Sequence, residues 1–324
     1  MAITRLRRIL SARETTWGTA VTPATAKWMG VTDLSVTPFV ERRILTDELR
    51  GSLQPAFQQF LSRSGVEWKA EGFVTYEDVL FILMGGLGVV TPTGTGPYTW
   101  TFTAPSTTWT PQAYTLQIGH DGEVFTIAGG LINSFSLKGE AGTDGEWKWS
   151  VEGIGKSFTQ GTSFTGTPAD RQVVVTTMPN TSFYMDAIGT TPGTTAFSGR
   201  LISFSLDVKN GLHLKWFAGD TNPFAFGYDR VEGTLEITVE YAANVQSFVQ
   251  STLFSQGGAA VRISAASGTS SIQIDFNGAL AANPDMWGDR DGNVIATFRL
   301  DGVYHTEIGS FLRVVVVNGV NALP

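Results

Sequence analysis

The chain has 324 residues, 42% hydrophobic and only 16% charged, with a net charge of −7, 37 glycines and no cysteine. The lack of cysteine excludes a disulfide framework, a thiolate zinc site and a thiol nucleophile. With 14 basic and 16 acidic residues up to position 176, and 8 and 13 after it, neither half offers the basic patch that sequence-independent nucleic-acid binding requires.

The opening segment, Met1 to Leu10, is basic but has neither the long apolar core nor the cleavage site of a secretory signal. The longest apolar run, Val79 to Val90, is broken by three glycines and is too short to span a bilayer. These features predict a soluble protein, made in a cytoplasm, with no membrane partner. Abundant Gly, Thr and aromatic residues, with few Ala/Leu/Glu/Lys runs, predict strands and tight turns rather than helices.

In chain order, the first long interval without a clear period is roughly 41–64. It carries Arg42, Arg43, Asp47, Glu48, Phe57 and Phe60. A loop of that length is uncommon unless it has a role, and its aromatics suggest a protein contact, the alternative being an extended hairpin folded onto its own domain. A strand follows, with Val66, Trp68 and Ala70 on one face and Glu67, Lys69 and Glu71 on the other. Thr75 then predicts a helix cap, Glu77 and Asp78 suit the positive helix end, and Tyr76, Val79, Leu80 and Leu83 form an apolar stripe. Gly85-Gly86 reads as the stop. A Thr/Pro/Gly-rich stretch fills 90–112. In the next clear strand Trp147, Trp149 and Val151 oppose Lys148, Ser150 and Glu152.

The second half offers a long interval at roughly 210–230, with Trp216, Phe224, Phe226 and Tyr228. It then gives a strand with Leu235, Ile237 and Val239 opposing Glu236, Thr238 and Glu240. A helix follows, with Asn244 as the expected cap and Val245, Phe248, Val249 and Leu253 as its stripe. Asp289 to Asn293 superficially resembles a calcium loop, but its glycine comes too early, and Asp-Gly reads as a hairpin turn.

Set side by side, the halves repeat one design. The Val66–Glu71 strand and its helix match Leu235–Glu240 and its helix at an offset of 169. Trp17-Gly18-Thr19 and Val31–Val36 match Ile188-Gly189-Thr190 and Leu201–Leu206 at offsets of 171 and 170. Asp144–Val151 matches Asp291–Phe298 at 147, because the first copy carries the extra residues around 90–112. Arg171–Val175 is answered by Arg313–Val317. The expected organisation is a mainly β chain of two tandem units, 1–176 and 177–324, each with one helix.

No catalytic signature accompanies this repeat. His120, His213 and His305 are isolated and read as surface or loop residues. No nucleophile elbow occurs, Gly161–Gly166 having the wrong spacing, and Gly94-Thr95-Gly96 runs into Pro97 without opening a helix. Among 29 acidic residues a glycosidase pair is conceivable, but nothing singles one out. No catalytic, cofactor or metal residue is assigned, and the chain is not read as an enzyme. A carbohydrate- or receptor-binding β-sandwich remains an alternative, with Trp17, Trp28, Trp100 and Trp109 as available sugar platforms.

Glu14-Thr15-Thr16-Trp17-Gly18-Thr19-Ala20-Val21-Thr22-Pro23 resembles the opening of tail tube (major tail) proteins of long-tailed bacteriophages. So do Glu67–Gly72 leading into Leu80–Gly88, and Tyr98-Thr99-Trp100-Thr101-Phe102. The resemblance implies a β-sandwich or split barrel with one flanking helix and a long loop in each copy. It further implies self-assembly into rings, usually sixfold, whose strands join into a continuous inner β-barrel, and which stack into a virion tail tube that conducts DNA without binding it specifically. Tape measure, baseplate and tail terminator proteins would be its partners. The internal repeat then suggests three chains per ring. Glu67, Lys69, Glu71, Glu236 and Glu240 point away from the core, towards the channel of such a ring or towards outside solvent. The intervals at 41–64 and 210–230 are the expected ring-to-ring contacts.

Overall fold

The computed structural model describes residues 7–23, 29–46, 51, 53–54, 56, 58–142, 144–165, 174–282 and 284–323. Its first half contains strands β1 (Arg8–Arg13), β2 (Asp33–Leu45) and β3 (Gln58–Phe73), helix α1 (Val79–Leu87), then β4 (Tyr98–Thr103), β5 (Tyr114–His120), β6 (Glu123–Glu140), β7 (Trp147–Gly155) and β8 (Ser157–Gly161). The second half contains β9 (Thr181–Ala187), β10 (Leu201–Lys209), β11 (His213–Lys215), β12 (Ala225–Gly227) and β13 (Glu232–Glu240). Helix α2 (Ala243–Phe248) leads to β14 (Gly258–Ser267), β15 (Ser270–Leu280), β16 (Asp285–Arg290), β17 (Asn293–Gly302) and β18 (Leu312–Asn318). The chain is mainly β and sandwich-like, built on an antiparallel sheet that does not close into a barrel.

The two halves take the same path. Hydrogen-bonded neighbours run β1-β5-β6-β7-β3-β2 in the first and β9-β14-β15-β17-β13-β10 in the second. In the first half the single long strand β6 pairs with β5 and β8 early, then with β7. In the second half β15 and β16 divide that work: β15 pairs with β14 and β18, and β16 takes most of β17. The halves are joined because β6 also pairs with β10, Glu140 opposite Ser203 and Ser134 opposite Lys209. Seven strands, β2-β3-β7-β6-β10-β13-β17, therefore form one continuous run.

The ladders correct two alignments. Ala70 lies opposite Val151, and Ile237 lies opposite Phe298. With Val151 aligned to Phe298, as the sequence pairs them, Ala70 falls on Ile237, two residues short of the 169-residue offset that fits the helices. The extra residues enter between strand and helix, which leaves the buried face unchanged because side chains alternate with period two. Arg171 to Val173 lie outside the described residues. The strand equivalent to β18 is β8, since Val124 faces Gly161 as Ser271 faces Val317.

Both helices differ in detail from expectation. Thr75 does cap: its hydroxyl accepts the Asp78 backbone N–H at 2.9 Å. Gly85 and Gly86, however, lie inside α1, which ends at Gly88 with φ 108°. An added Cβ would sit 2.6 Å from Ile132 at Gly85 and 2.6 Å from the Phe135 ring at Gly86. The pair lets a helix buried over its whole length press onto β6. In the second half Asn244 does not cap, because the Gln246 N–H already bonds the Ala242 carbonyl at 2.9 Å. Helix α2 continues as a wider π turn over Val249–Leu253, and Val245, Val249 and Leu253 are buried as the stripe predicted.

The core is shared. One cluster of buried apolar side chains runs from Ile9 through Trp68, Trp149 and Leu235 to Val316. The stretch at 90–112 helps to tie it, since β4 lies there and pairs with β18 of the other half. Trp100 Nε1 donates to the Val320 carbonyl at 3.0 Å, and Asn318 Nδ2 to the Tyr76 carbonyl at 2.5 Å. Within the outer ladder of the second half, register aligns Arg262, Asp275 and Arg313 across three strands. Both arginines reach the fully buried Asp275 carboxylate at 2.6 Å.

Candidate channel face and assembly edges

The seven-strand run buries one face and leaves the other wet. Glu67, Lys69, Glu71, Glu236 and Glu240 all lie on the wet face, on β3 and β13, with β7, β6 and β10 between them. Because the ladders are continuous, further charges join them that single strands could not connect: Asp33, Lys138, Glu140, Lys148, Glu152, Asp207, Lys209, Glu232, Arg299 and Asp301. Together they make ten carboxylates against five cations. One cross-strand row, Asp33-Glu71-Ser150-Ser136-Asp207-Thr234-Asp301, carries four acids and no base.

These charges are largely solvated. Lys69 Nζ lies 2.5 Å from Glu152, and that hydrogen bond and charge, with Glu67 and Glu71 adding, hold its ammonium above the ordinary lysine range. Such exposed pairs contribute little stability, so the face is shaped by charge rather than held by it. Glu240 is likewise paired, with Arg200 at the end of its strand, and keeps 41% of its side chain exposed.

The wet face is also curved. Arg290, at the end of β16, donates to the Ala141 carbonyl at 2.9 Å and lies 3.5 Å from Glu140. Strands β17, β13 and β10 separate β16 from β6, so a flat sheet would hold them about 19 Å apart. An arginine cannot reach that far, and the contact requires this end of the sheet to curl towards its charged side.

The two long intervals meet. The first is an extension of the β2–β3 hairpin, in which Arg42 faces Leu61 and Arg43 faces Phe60. The second holds the small β11–β12 hairpin. The Ser64 N–H bonds the Thr221 carbonyl at 2.8 Å, its hydroxyl bonds Asn222 at 2.7 Å, and Arg63 stacks over the Trp216 ring at 5.1 Å. Phe60 and Phe224 remain 50% and 62% exposed. Phe226 is instead packed edge-on against Trp17 at 5.3 Å, and Tyr228 against Trp109 at 6.2 Å, so these two hold the interval to its own chain. Asp47, Glu48 and Phe57 lie outside the described residues.

Two edges of the run are unpaired among the described residues: β2 bonds only to β3, and β16 only to β17. On β16 the Trp287 side chain is 81% exposed, touching the Tyr241 ring at a centroid distance of 6.4 Å. The turn after β16 is the expected hairpin, with Asp291 at φ 54° and Gly292 at φ 82°.

Other candidates are structural. His305 is buried, contrary to a surface reading: Nε2 donates to the Thr190 carbonyl at 3.0 Å and Nδ1 accepts the Glu307 N–H at 3.1 Å. A cleft of about 1010 Å³ is bordered by Glu14, Trp17, Trp109 and Phe226. The Glu14 carboxylate there is already engaged by the Gly18 and Gly129 N–H groups at 2.7 and 2.8 Å and by Thr115 at 2.7 Å. Of the proposed sugar platforms, Trp100 is buried, Trp17 and Trp109 are packed on the second half, and Trp28 lies outside the described residues.

What stands out is a charged, curved sheet face bounded by two bare edges, the surfaces of a structural β protein. The sequence matches the family model of phage tail tube proteins over residues 4–300, and the chain belongs to that family. It is a structural component of a bacteriophage tail, of a family not known for catalysis. No curated protein matches the sequence.

Proposed function

We propose that this protein polymerises into rings that stack to form the tail tube, with the wet sheet face lining the channel through which DNA passes. The observation that carries this reading is the continuous β2-to-β17 run, whose charged side is net acidic across both halves and curls inward between β6 and β16. Carboxylates facing a phosphate backbone repel it at short range, so the duplex slides without adhering. Each chain supplies two tandem units, 1–176 and 177–324, on a shared core. Three chains then give a pseudo-sixfold ring.

Ring-to-ring contact falls to the joined intervals, where Arg42, Arg43, Phe60 and Phe224 are exposed beside Trp216. The tape measure would occupy the channel before ejection, and baseplate and terminator proteins would meet the two ends of the tube. Assembly takes place in the host cytoplasm and the product resides in the virion. The test is to replace Glu67, Glu71, Glu236 and Glu240 together by lysine. Tubes are expected to form while DNA ejection slows; ejection at the parental rate from such tubes would remove the channel assignment.

A further inference from the structure

Beyond the ring reading, we propose that the outward face of the second half's outer layer, β9-β14-β15-β18-β4, is a binding surface for an acidic polysaccharide. The matching face of the first half is closed by its own chain. The ladders make the comparison: Gln117 faces Thr126 where Ser264 faces Gln273, and Leu10 and Ser182 lie beside them on the next strand. Leu10 and Gln117 are buried. Thr165 roofs Gln117: its N–H bonds Oε1 at 3.0 Å and its hydroxyl accepts Nε2 at 2.8 Å. The Val21 N–H reaches the Thr115 hydroxyl at 2.9 Å. In the second half Ser264 takes no such bond among the described residues, because the chain after β18 turns away to Trp100, whose Nε1 bonds the Val320 carbonyl. Ser182 and Thr101 are accordingly exposed, and Ser264 and Gln273 only half-buried.

Two cross-strand rows define the open face, Tyr184-Arg262-Asp275-Arg313-Thr103 and Ser182-Ser264-Gln273-Val315-Thr101. Five strands span about 19 Å, room for a short run of sugar units. The first row sets two arginines against one carboxylate. Asp275 is fully buried and accepts both guanidinium groups and the Gln273 amide at 2.6–3.1 Å. Its charge is spent within the row, and one positive charge remains on a chain of net −7. The Arg262 and Arg313 side chains stay 22% and 27% exposed, and their Nη1 groups have no acceptor among the described residues. An added Cβ at Gly193 would lie 2.4 Å from Arg262 Nη1, so the loop that Asp186 holds borders this end of the row. A guanidinium fork suits a carboxylate. The Ser264, Thr101 and Thr103 hydroxyls and the Gln273 amide both donate and accept, as sugar hydroxyls do. None of the exposed large apolar side chains lies on these rows, which disfavours a protein partner, whose contact core would be aromatic and apolar. The rows point away from the core on which β10, β13 and β17 pack, so in a tube they look outward.

The test uses the intact, unassembled chain, with oligogalacturonate as the probe and uncharged dextran and dextran sulfate as controls. Titration calorimetry should give saturable binding of oligogalacturonate at a single site per chain, and none of dextran. Two variants locate that site. Arg262→Thr with Asp275→Ala and Arg313→Ser removes the ion row, whereas Ser264→Glu with Thr101→Glu keeps the row and adds repelling carboxylates. Each should weaken binding by about tenfold or more, the loss of one charge-assisted hydrogen bond. No binding of oligogalacturonate, or binding that either folded variant leaves unchanged, would overturn the proposal. So would equal affinity for dextran sulfate, which would mean attraction of any polyanion. Amide exchange over β14 and β18 that slows on tube assembly but not with the saccharide would place a second copy on the face, and would overturn it too. Because binding is read on separate chains, its failure leaves the ring reading in place, and failure to form tubes leaves the saccharide site in place.

Discussion

Matched positions in the two halves carry very different chemistry. On β6 Ala128 faces Ser157, and Thr115 lies on the adjoining strand β5; at the equivalent place in the second half Asp275 lies between Arg262 and Arg313. Near the other end of the sheet the buried Leu137 corresponds to a bulge on β16, in which Met286 packs against the core and Trp287 is bare. The first contrast shows that one lattice of strands accepts either small side chains or a buried ion row, because strand pairing, not the side chains, sets the frame. The second shows how the same strand position differs between the middle of the sheet and its edge.

The largest effect expected within a chain comes from breaking the ion row. Asp275→Ala should cost about 3 kcal/mol in chemical denaturation, the lower end for a broken buried pair, since both arginines keep partial contact with water. Restoring the first-half set, Arg262→Thr with Asp275→Ala and Arg313→Ser, should recover most of that loss. A triple variant less stable than the single one would contradict the equivalence of the two sites.

The helices give a smaller contrast. Gly86→Ala places a methyl group 2.6 Å from the Phe135 ring and should cost about 1–3 kcal/mol by overpacking, read as a lowered Tm. An unchanged Tm would mean that α1 rides further from β6 than described.

The smallest effect is tied to pH. Burial raises the Asp186 pKa, but the hydrogen bonds it accepts from Thr194, Thr195 and Gly193 outweigh this and hold its carboxyl below the usual range. A depressed folded pKa contributes stability that is complete above the unfolded value, about 3.9, and is lost as pH falls through the folded one. Asp186→Asn should therefore lower stability at neutral pH and flatten its decline below about pH 4. An acid limb as steep as the parent's would refute this.

Much of this was legible in the sequence. Period-two alternation placed Glu67, Lys69, Glu71, Glu236 and Glu240 on wet strand faces, and helical spacing found Val245, Val249 and Leu253. What local pattern does not contain is long-range pairing. Nothing near Glu140 or Ser203 states that β6 and β10 join, so the additional charges of the wet face, such as Lys138, Glu152, Asp207 and Asp301, were not connected to the glutamates. Gly85-Gly86 carries the same symbols whether it ends a helix or lets one approach a strand. Asn244 is a good cap by type, but Ala242 begins the helix earlier. His305 reads as a loop residue until its buried partners are seen. Phe226 and Tyr228 have the composition of an interface, and it is Trp17 and Trp109 of the same chain that they meet.

The most direct test of the central claim is electron microscopy of assembled protein at a resolution that traces strands. The account predicts rings of three chains, with the β2-to-β17 runs joined into one inner wall and Glu67, Glu71 and Glu236 facing the channel. Rings of six chains, or tubes with that charged face turned outward, would contradict it.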